Sequence, residues 1–211
     1  MLVNGAIAII SGYLLGSIPS AYITARLVRG VDIRDIGGRN VGALNTAREI
    51  GLIPGLIVLV TDVAKGSLAV FIARWLDLPL IWVFGAGFAA VVGHNWPVFL
   101  KFKGGKGAAT TLGVLLALAP IALAISLAVM LIIIITTSNV RLAIAIGLVL
   151  LPVIIWQLDG PGLLIAYSAA LFVFLGARLL PSIKEAVAST GDKRSLIFDR
   201  EYHCWQTRKG K

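Results

Sequence analysis

Apolar residues fall in long blocks at about 2–25, 51–73, 78–100, 111–136, 140–157 and 162–180, with the polar and charged residues gathered between them. Blocks of roughly this length span a bilayer core as helices, and the pattern predicts an all-α, polytopic integral membrane bundle. It predicts a single domain over 1–211, with a polar tail at 182–211. Pro79, Pro152 and Pro161 sit near block ends, where a missing N–H is tolerated, whereas Pro120 lies inside the fourth block and is positioned to break it. The first block has no Lys or Arg before Arg26, so it lacks the basic start of a signal peptide and reads as a retained first helix.

Charge sets the expected orientation. Residues 26–50 carry Arg26, Arg29, Arg34, Arg39 and Arg48, residues 101–106 carry Lys101, Lys103 and Lys106, and the tail from Lys184 is basic, while the other connections are nearly free of Lys and Arg. The positive-inside rule then puts the N-terminus outside and the two basic loops and the tail in the cytoplasm. Three crossings between Thr111 and Leu180 would leave the tail outside, so the number there must be even. A break at Pro120 gives seven spans in all, the expected number; one block that does not cross gives five.

Composition narrows the chemistry. Only 14% of residues are charged and 58% are hydrophobic, with mean hydropathy +0.94, against about 25% charged in soluble domains. The net charge of +9 sits between membrane blocks, so anionic headgroups and phosphorylated substrates fit it better than nucleic acid. Cys204 is the only cysteine and excludes an intrachain disulfide. His203, Cys204 and Trp205 do not make a metal set, and neither a metal nor another cofactor is expected.

Two loops carry candidate chemistry. In Gly93-His-Asn-Trp-Pro-Val-Phe-Leu-Lys-Phe-Lys-Gly-Gly-Lys-Gly-Ala-Ala-Thr110, His94 and three lysines accompany Gly104, Gly105 and Gly107 just before an apolar block. Glycine backbone N–H groups, a helix start and lysine charge together suit a phosphate. Lys106 is followed by glycine and no strand precedes it, so this is not a Walker loop. The first loop, Val31 to Arg48, alternates Asp32, Arg34, Asp35, Arg39 and Arg48 with Asn40, Asn45 and three glycines. Internal Asp–Arg pairing accounts for Asp32 and Arg34, while Asn40, Asn45 and Arg48 are candidates for substrate. Asp62 and Lys65, at i and i+3 inside an apolar block, read either as a structural ion pair or as part of the site's wall.

The segments Gly16-Ser-Ile-Pro-Ser-Ala-Tyr22, Gly37…Asn40-Val-Gly-Ala-Leu-Asn45…Arg48…Gly51, Asp62-Val-Ala-Lys-Gly66 and the Lys/Gly motif occur in this order. Over about residues 12–112 the chain resembles the bacterial acyl-phosphate:glycerol-3-phosphate acyltransferases of the PlsY type. The resemblance implies acyl transfer from acyl phosphate to glycerol 3-phosphate in phospholipid biosynthesis, giving 1-acyl-glycerol 3-phosphate in the bacterial inner membrane. It implies that a soluble acyl-phosphate-forming enzyme supplies the donor and that acyl-CoA is not used directly. Lys103, Lys106 and Gly104, Gly105 and Gly107 would hold acyl phosphate, and Arg48 with Asn40 and Asn45 would hold glycerol 3-phosphate. His94 or a substrate phosphate would take the proton.

Two positions depart from the family pattern. Gly37-Gly38-Arg39-Asn40 stands where the family usually has Gly-Ser-Gly-Asn, and Arg178-Leu-Leu-Pro-Ser-Ile183 replaces an Arg/His motif, with Leu179 at the histidine. Arg39 is a candidate to compensate in charge. A non-catalytic or altered-substrate paralogue and a transporter of phosphorylated solutes are the rival readings; the transporter predicts an internal repeat, and none is visible.

Overall fold

A computed structural model describes residues 1–189, with side chains through Leu180 other than that of Arg141. The polar tail beyond 189, including His203, Cys204 and Trp205, lies outside the described residues. All described secondary structure is helical: α1 (Leu2–Ser17), α2 (Ser20–Arg29), α3 (Ala43–Glu49), α4 (Leu52–Trp75), α5 (Leu80–Asn95), a 3-10 turn (Val98–Leu100), α6 (Ala108–Leu118), α7 (Pro120–Thr137), α8 (Val140–Gln157) and α9 (Gly162–Ser189). Five segments are long and apolar enough to cross a membrane: 2–29, 52–75, 80–100, 120–137 and 162–180. Helices 108–118 and 142–157 are apolar but shorter.

The expected break at Pro120 is present: α6 ends at Leu118, and α7 begins at the proline. Proline cannot donate the backbone bond that would continue α6. The interruption leaves α6 carbonyls without helical partners, and Arg74 at the end of α4 donates to one of them, Ala117, at 2.9 Å. The first apolar block is also interrupted, at Ile18–Pro19, a break that the block reading did not resolve. The last helix continues to Ser189, past the expected start of the tail at 182.

The chain groups into two compact units, Met1–Pro120 and the part from Ile121 onward. In the first, small residues bring helices into near contact. Gly12 and Gly16 of α1 lie against the backbone of Ala86 and Ala90 in α5, and Gly66 of α4 against that of Thr110 in α6. Without a water-driven force between helices in lipid, such close approach is what van der Waals packing requires. In the second unit, Asn139 caps α8 by accepting from Leu142 N–H at 3.0 Å. Ser126 of α7 donates to the Gly147 carbonyl of α8 at 2.7 Å, and Leu148, Leu151, Leu171 and Leu175 are buried.

Candidate functional site

The first loop is not a solvated strap. Ile33, Val41 and Ile50 are buried with Ala21, Ala25, Val58 and Leu100, and Val31, Ile36 and Ala43 pack on that cluster. This small core holds the loop onto α2, α4 and the 3-10 turn. Asn45 then fixes its path: its Nδ2 donates to the carbonyls of Ile33 (3.3 Å), Ile36 (3.3 Å) and Asn40 (3.1 Å), and its Oδ1 accepts from Gly38 N–H (2.9 Å). Asn45 is buried and spends its hydrogen-bonding capacity on the loop's own backbone. Its position is that of a scaffold for Gly38–Asn40, rather than that of a group turned toward a ligand.

The arginines divide by use. Arg34 makes a forked contact to Asp32, closest at 2.7 Å, as internal pairing predicted. That guanidinium holds the Asp32 carboxyl down to about 2. Arg26 and Arg34 also lie 5.4 and 5.3 Å from the Tyr22 ring centroid, and Arg29 donates to the Glu49 carbonyl at 2.8 Å. Arg39 is exposed, with a left-handed backbone (φ 51°). Arg48 is half-buried, in the last turn of α3.

The Lys/Gly loop is built from backbone. After α5 the chain turns through Lys101 (φ 53°) and Phe102 (φ 61°), both left-handed, a conformation uncommon for non-glycine residues. Phe102 N–H to the Pro97 carbonyl (2.9 Å) and Lys103 N–H to the Leu100 carbonyl (3.2 Å) hold the turn. Gly105 N–H then bonds back to the His94 carbonyl at 3.0 Å. Gly107, at φ +84°, is the cap of α6, and the first N–H groups of that helix have no intrahelical partner. Lys101 and Lys103 are exposed and Lys106 half-buried. Val98, Phe99 and Phe102 are outward-facing beside them, so apolar and cationic side chains alternate at one helix end, as at a membrane surface.

The two loops meet at His94. A methyl on Gly105 would run into both His94 Nε2 and the Val41 carbonyl, so only glycine permits this approach. On its other side, His94 Nδ1 is 3.6 Å from Asp62 Oδ1. The same oxygen accepts from Ser20 Oγ at 2.5 Å and pairs with Lys65 Nζ at 2.9 Å. Lys65 also donates to the Ile18 carbonyl, exposed by the α1–α2 break, at 3.2 Å. Asp62, Lys65 and His94 are 0%, 3% and 7% exposed. Asp62 and Lys65 are thus a buried ion pair, the kind in which removing one partner costs about 3–5 kcal/mol. Ser20, Lys65, His94 and Val41 line a small recess with Gly16 and Pro97.

Ser20 and Asn95 lie inside two of the segments that carry the resemblance, Gly16–Tyr22 and the Lys/Gly motif, but neither is among the sequence candidates for the site. Asn95 is fully buried, and its amide lies against the Gly107 cap with neither polar atom hydrogen-bonded. Thr110 and Thr111, in the first turn of α6, also have buried hydroxyls without a hydrogen-bond partner. Of the sequence candidates, the structure brings His94 and Gly105 to Val41 of the first loop, and sets Gly104, Lys106 and Gly107 in the same turn. Leu179 lies in α9, in the second unit.

The chain is similar to known proteins along most of its length. The family model described as glycerol-3-phosphate acyltransferase matches residues 6–188. The chain is 40% identical over 198 residues to glycerol-3-phosphate acyltransferase 1 of Dehalococcoides mccartyi, covering 91% of this chain and 95% of that one. It is 42% identical over 192 residues to glycerol-3-phosphate acyltransferase 2 of Moorella thermoacetica, covering 89% and 96%. Crystal structures of PlsY (YgiH), an integral membrane glycerol 3-phosphate acyltransferase, are similar in fold. The glycerol 3-phosphate form superposes with TM-score 0.81 at 32% identity, and the lysophosphatidic acid form with 0.79 at 31%, each covering 87% of this chain and 92% of the other.

Proposed function

This chain belongs to the glycerol-3-phosphate acyltransferase family, and on that premise we propose that it acylates the primary hydroxyl of glycerol 3-phosphate from acyl phosphate. The products are 1-acyl-glycerol 3-phosphate and inorganic phosphate. The observation that carries this reading is the convergence at Gly105, His94 and Val41 of two cationic loops, one of them ending on a helix start. Two phosphorylated substrates need two anion sites side by side, and a lipid tail needs them at a membrane edge.

The roles follow from chemistry. Lys103, Lys106 and the backbone of Gly104 and Gly107 hold the acyl phosphate and stabilise phosphate as it leaves, while Gly105, whose N–H is bonded to the His94 carbonyl, holds the turn. Arg48, with Asn40 and the exposed Arg39, binds the phosphate of glycerol 3-phosphate, and Asn45 keeps that loop in shape. The mixed anhydride is already activated, so the hydroxyl attacks the acyl carbon directly and the C–O bond to phosphate breaks. Two groups can take the hydroxyl proton, His94 and a substrate phosphate oxygen. The close backbone contact at His94 Nε2 favours the phosphate.

By the positive-inside rule the site faces the cytoplasm of a bacterial inner membrane, where a soluble acyl-phosphate-forming enzyme delivers the donor. Cysteines placed at Gly38 and Lys103 in a Cys204→Ser background should react with an impermeant reagent only when the cytoplasmic face is open. Labelling from outside would reject this orientation. The activity itself is tested with purified protein, acyl phosphate and radiolabelled glycerol 3-phosphate. Label should enter lysophosphatidic acid, and acyl-CoA in place of acyl phosphate should give none. Turnover with acyl-CoA alone would overturn the donor assignment.

A further inference from the structure

Four side chains from separate parts of the first unit meet inside it: Ser20 at the start of α2, Asp62 and Lys65 on α4, and His94 at the end of α5. Three of them direct a donor or cation at one carboxylate oxygen, Asp62 Oδ1, whereas Oδ2 has no hydrogen-bond partner. An ion pair for stability alone would need only Lys65. The arrangement instead joins Asp62 to a buried imidazole whose far edge lies against Gly105, the point where the Lys/Gly loop meets the first loop. His94 Nδ1 looks to Asp62, and its Nε2 abuts Gly105 of the Lys/Gly loop, which in turn lies against the Val41 carbonyl of the first loop.

We propose that Asp62 is a positioning residue that acts through His94: it keeps a proton on Nδ1 and fixes the ring plane, so that the ring seats Gly105 against the Val41 carbonyl and thereby sets the spacing between the Lys/Gly loop and the first loop. A carboxylate on one ring nitrogen is a general means of fixing an imidazole's protonation and orientation. Ser20 and Lys65 hold the carboxylate in turn, with Ser20 donating from the helix break and Lys65 tied to the Ile18 carbonyl. The 3.6 Å separation between Nδ1 and Oδ1 is longer than a hydrogen bond, and the proposed bond requires the ring to move closer to the carboxylate. The function is geometric. Two phosphates must be held so that hydroxyl and acyl carbon stand in attack position, and a small error in loop spacing is costly in rate.

The inference rests on the two loops being the substrate sites, yet its first readout does not depend on activity. The chain has two histidines, His94 and His203, so His203→Gln with 15N-labelled histidine leaves one imidazole to observe by NMR. In detergent, His94 Nδ1 should carry a hydrogen. In Asp62→Asn/Lys65→Met, which removes both charges and leaves no unpaired lysine, that hydrogen should be lost from Nδ1 or exchanged between the two nitrogens. An unprotonated Nδ1 in the parent, or the same spectrum in both proteins, overturns the proposal.

The kinetic arm is a cycle. His94→Gln and Asp62→Asn/Lys65→Met should each lower kcat about 10- to 100-fold with smaller changes in KM, and the combined variant should be no slower than the worse of the two. Multiplying effects would mean that Asp62 acts independently of His94. Where the charge-removing variant fails to fold, Ser20→Ala carries the same test with the ion pair intact. It should shift the His94 nitrogen signals and lower kcat several-fold, but have no effect in the His94→Gln background; an equal effect in both backgrounds overturns the proposal. Failure of the NMR arm with His94→Gln still impaired would remove Asp62 from the argument and leave the proposed function standing.

Discussion

The two basic loops reach the same neighbourhood by opposite means. The first loop has a core: Ile33, Val41 and Ile50 are buried beneath it, and one amide, Asn45, ties down four backbone groups. The Lys/Gly loop has almost no side-chain core. It is held by backbone bonds, by two left-handed residues and by a glycine pressed against an imidazole. Charge alone does not distinguish them. At the first loop, Arg34 and the neighbouring Arg26 and Arg29 of α2 spend their charge on structure, on Asp32, Tyr22 and the Glu49 carbonyl. In the second, Lys101 and Lys103 are exposed. Damage to the first loop should therefore be seen in folding, and damage to the second in turnover.

The strongest break of that contrast is Asn45→Ala. It strands three carbonyls and one N–H, partly buried, and unsatisfied groups of this kind cost about 1–3 kcal/mol each. Thermal unfolding in detergent should fall sharply, with activity falling in step. Asn45→Asp should be no better, because a carboxylate cannot donate to the three carbonyls. Near-normal stability in both would remove the scaffold role.

Lys106→Ala is the counterpart. Turnover should drop about 10²- to 10³-fold, the usual scale for losing one preorganised group at a developing anion, with the unfolding midpoint little changed. Gly105→Ala should also cut turnover, but with a loss of stability that Lys106→Ala does not share, since its methyl runs into the buried His94 ring and the Val41 carbonyl. An unfolding midpoint lowered in Lys106→Ala as far as in Asn45→Ala would erase the difference between the loops.

How much of this was legible in the sequence depends on the scale of the feature. Block lengths gave the helical membrane fold, Pro120 marked the α6–α7 break, and the Asp32–Arg34 and Asp62–Lys65 pairs followed from spacing of two and three residues. Local patterns report local pairings. Convergence does not show in them: nothing near Ser20 or Gly105 says that they lie on opposite sides of one histidine. Asn45 illustrates the same limit, because an amide amid arginines reads as substrate-facing until its four backbone partners are seen.

Arg48→Lys should have a smaller effect, about tenfold in KM for glycerol 3-phosphate with less change for acyl phosphate, because lysine cannot reproduce a forked contact. Equal changes for both substrates would make Arg48 structural. Gly38→Ser with Arg39→Gly and Leu179→His restores the family pattern. A Cβ at Gly38 meets only Asn45 Oδ1, at 3.5 Å, so the serine fits, and the triple variant should be several-fold faster than the parent. If it is no faster, those groups are not needed in this chain.

The smallest effect concerns pH. Arg34 holds Asp32 at about 2, below its unfolded value near 4, so this pair adds stability above about pH 4 that is lost as pH falls through 2. Asp32→Asn should flatten that part of the acid unfolding curve slightly. An unchanged curve would mean that the pair adds nothing measurable.

The central claim is that an acyl group moves from acyl phosphate to glycerol 3-phosphate by attack at the acyl carbon. Acyl phosphate carrying 18O in the oxygen that bridges carbon and phosphorus tests it in one measurement. Attack at carbon breaks the C–O bond, so the label should leave entirely with inorganic phosphate, only when glycerol 3-phosphate is present, and in equal amount to the lysophosphatidic acid formed. Label retained in free fatty acid, or release that does not depend on glycerol 3-phosphate, would contradict the account.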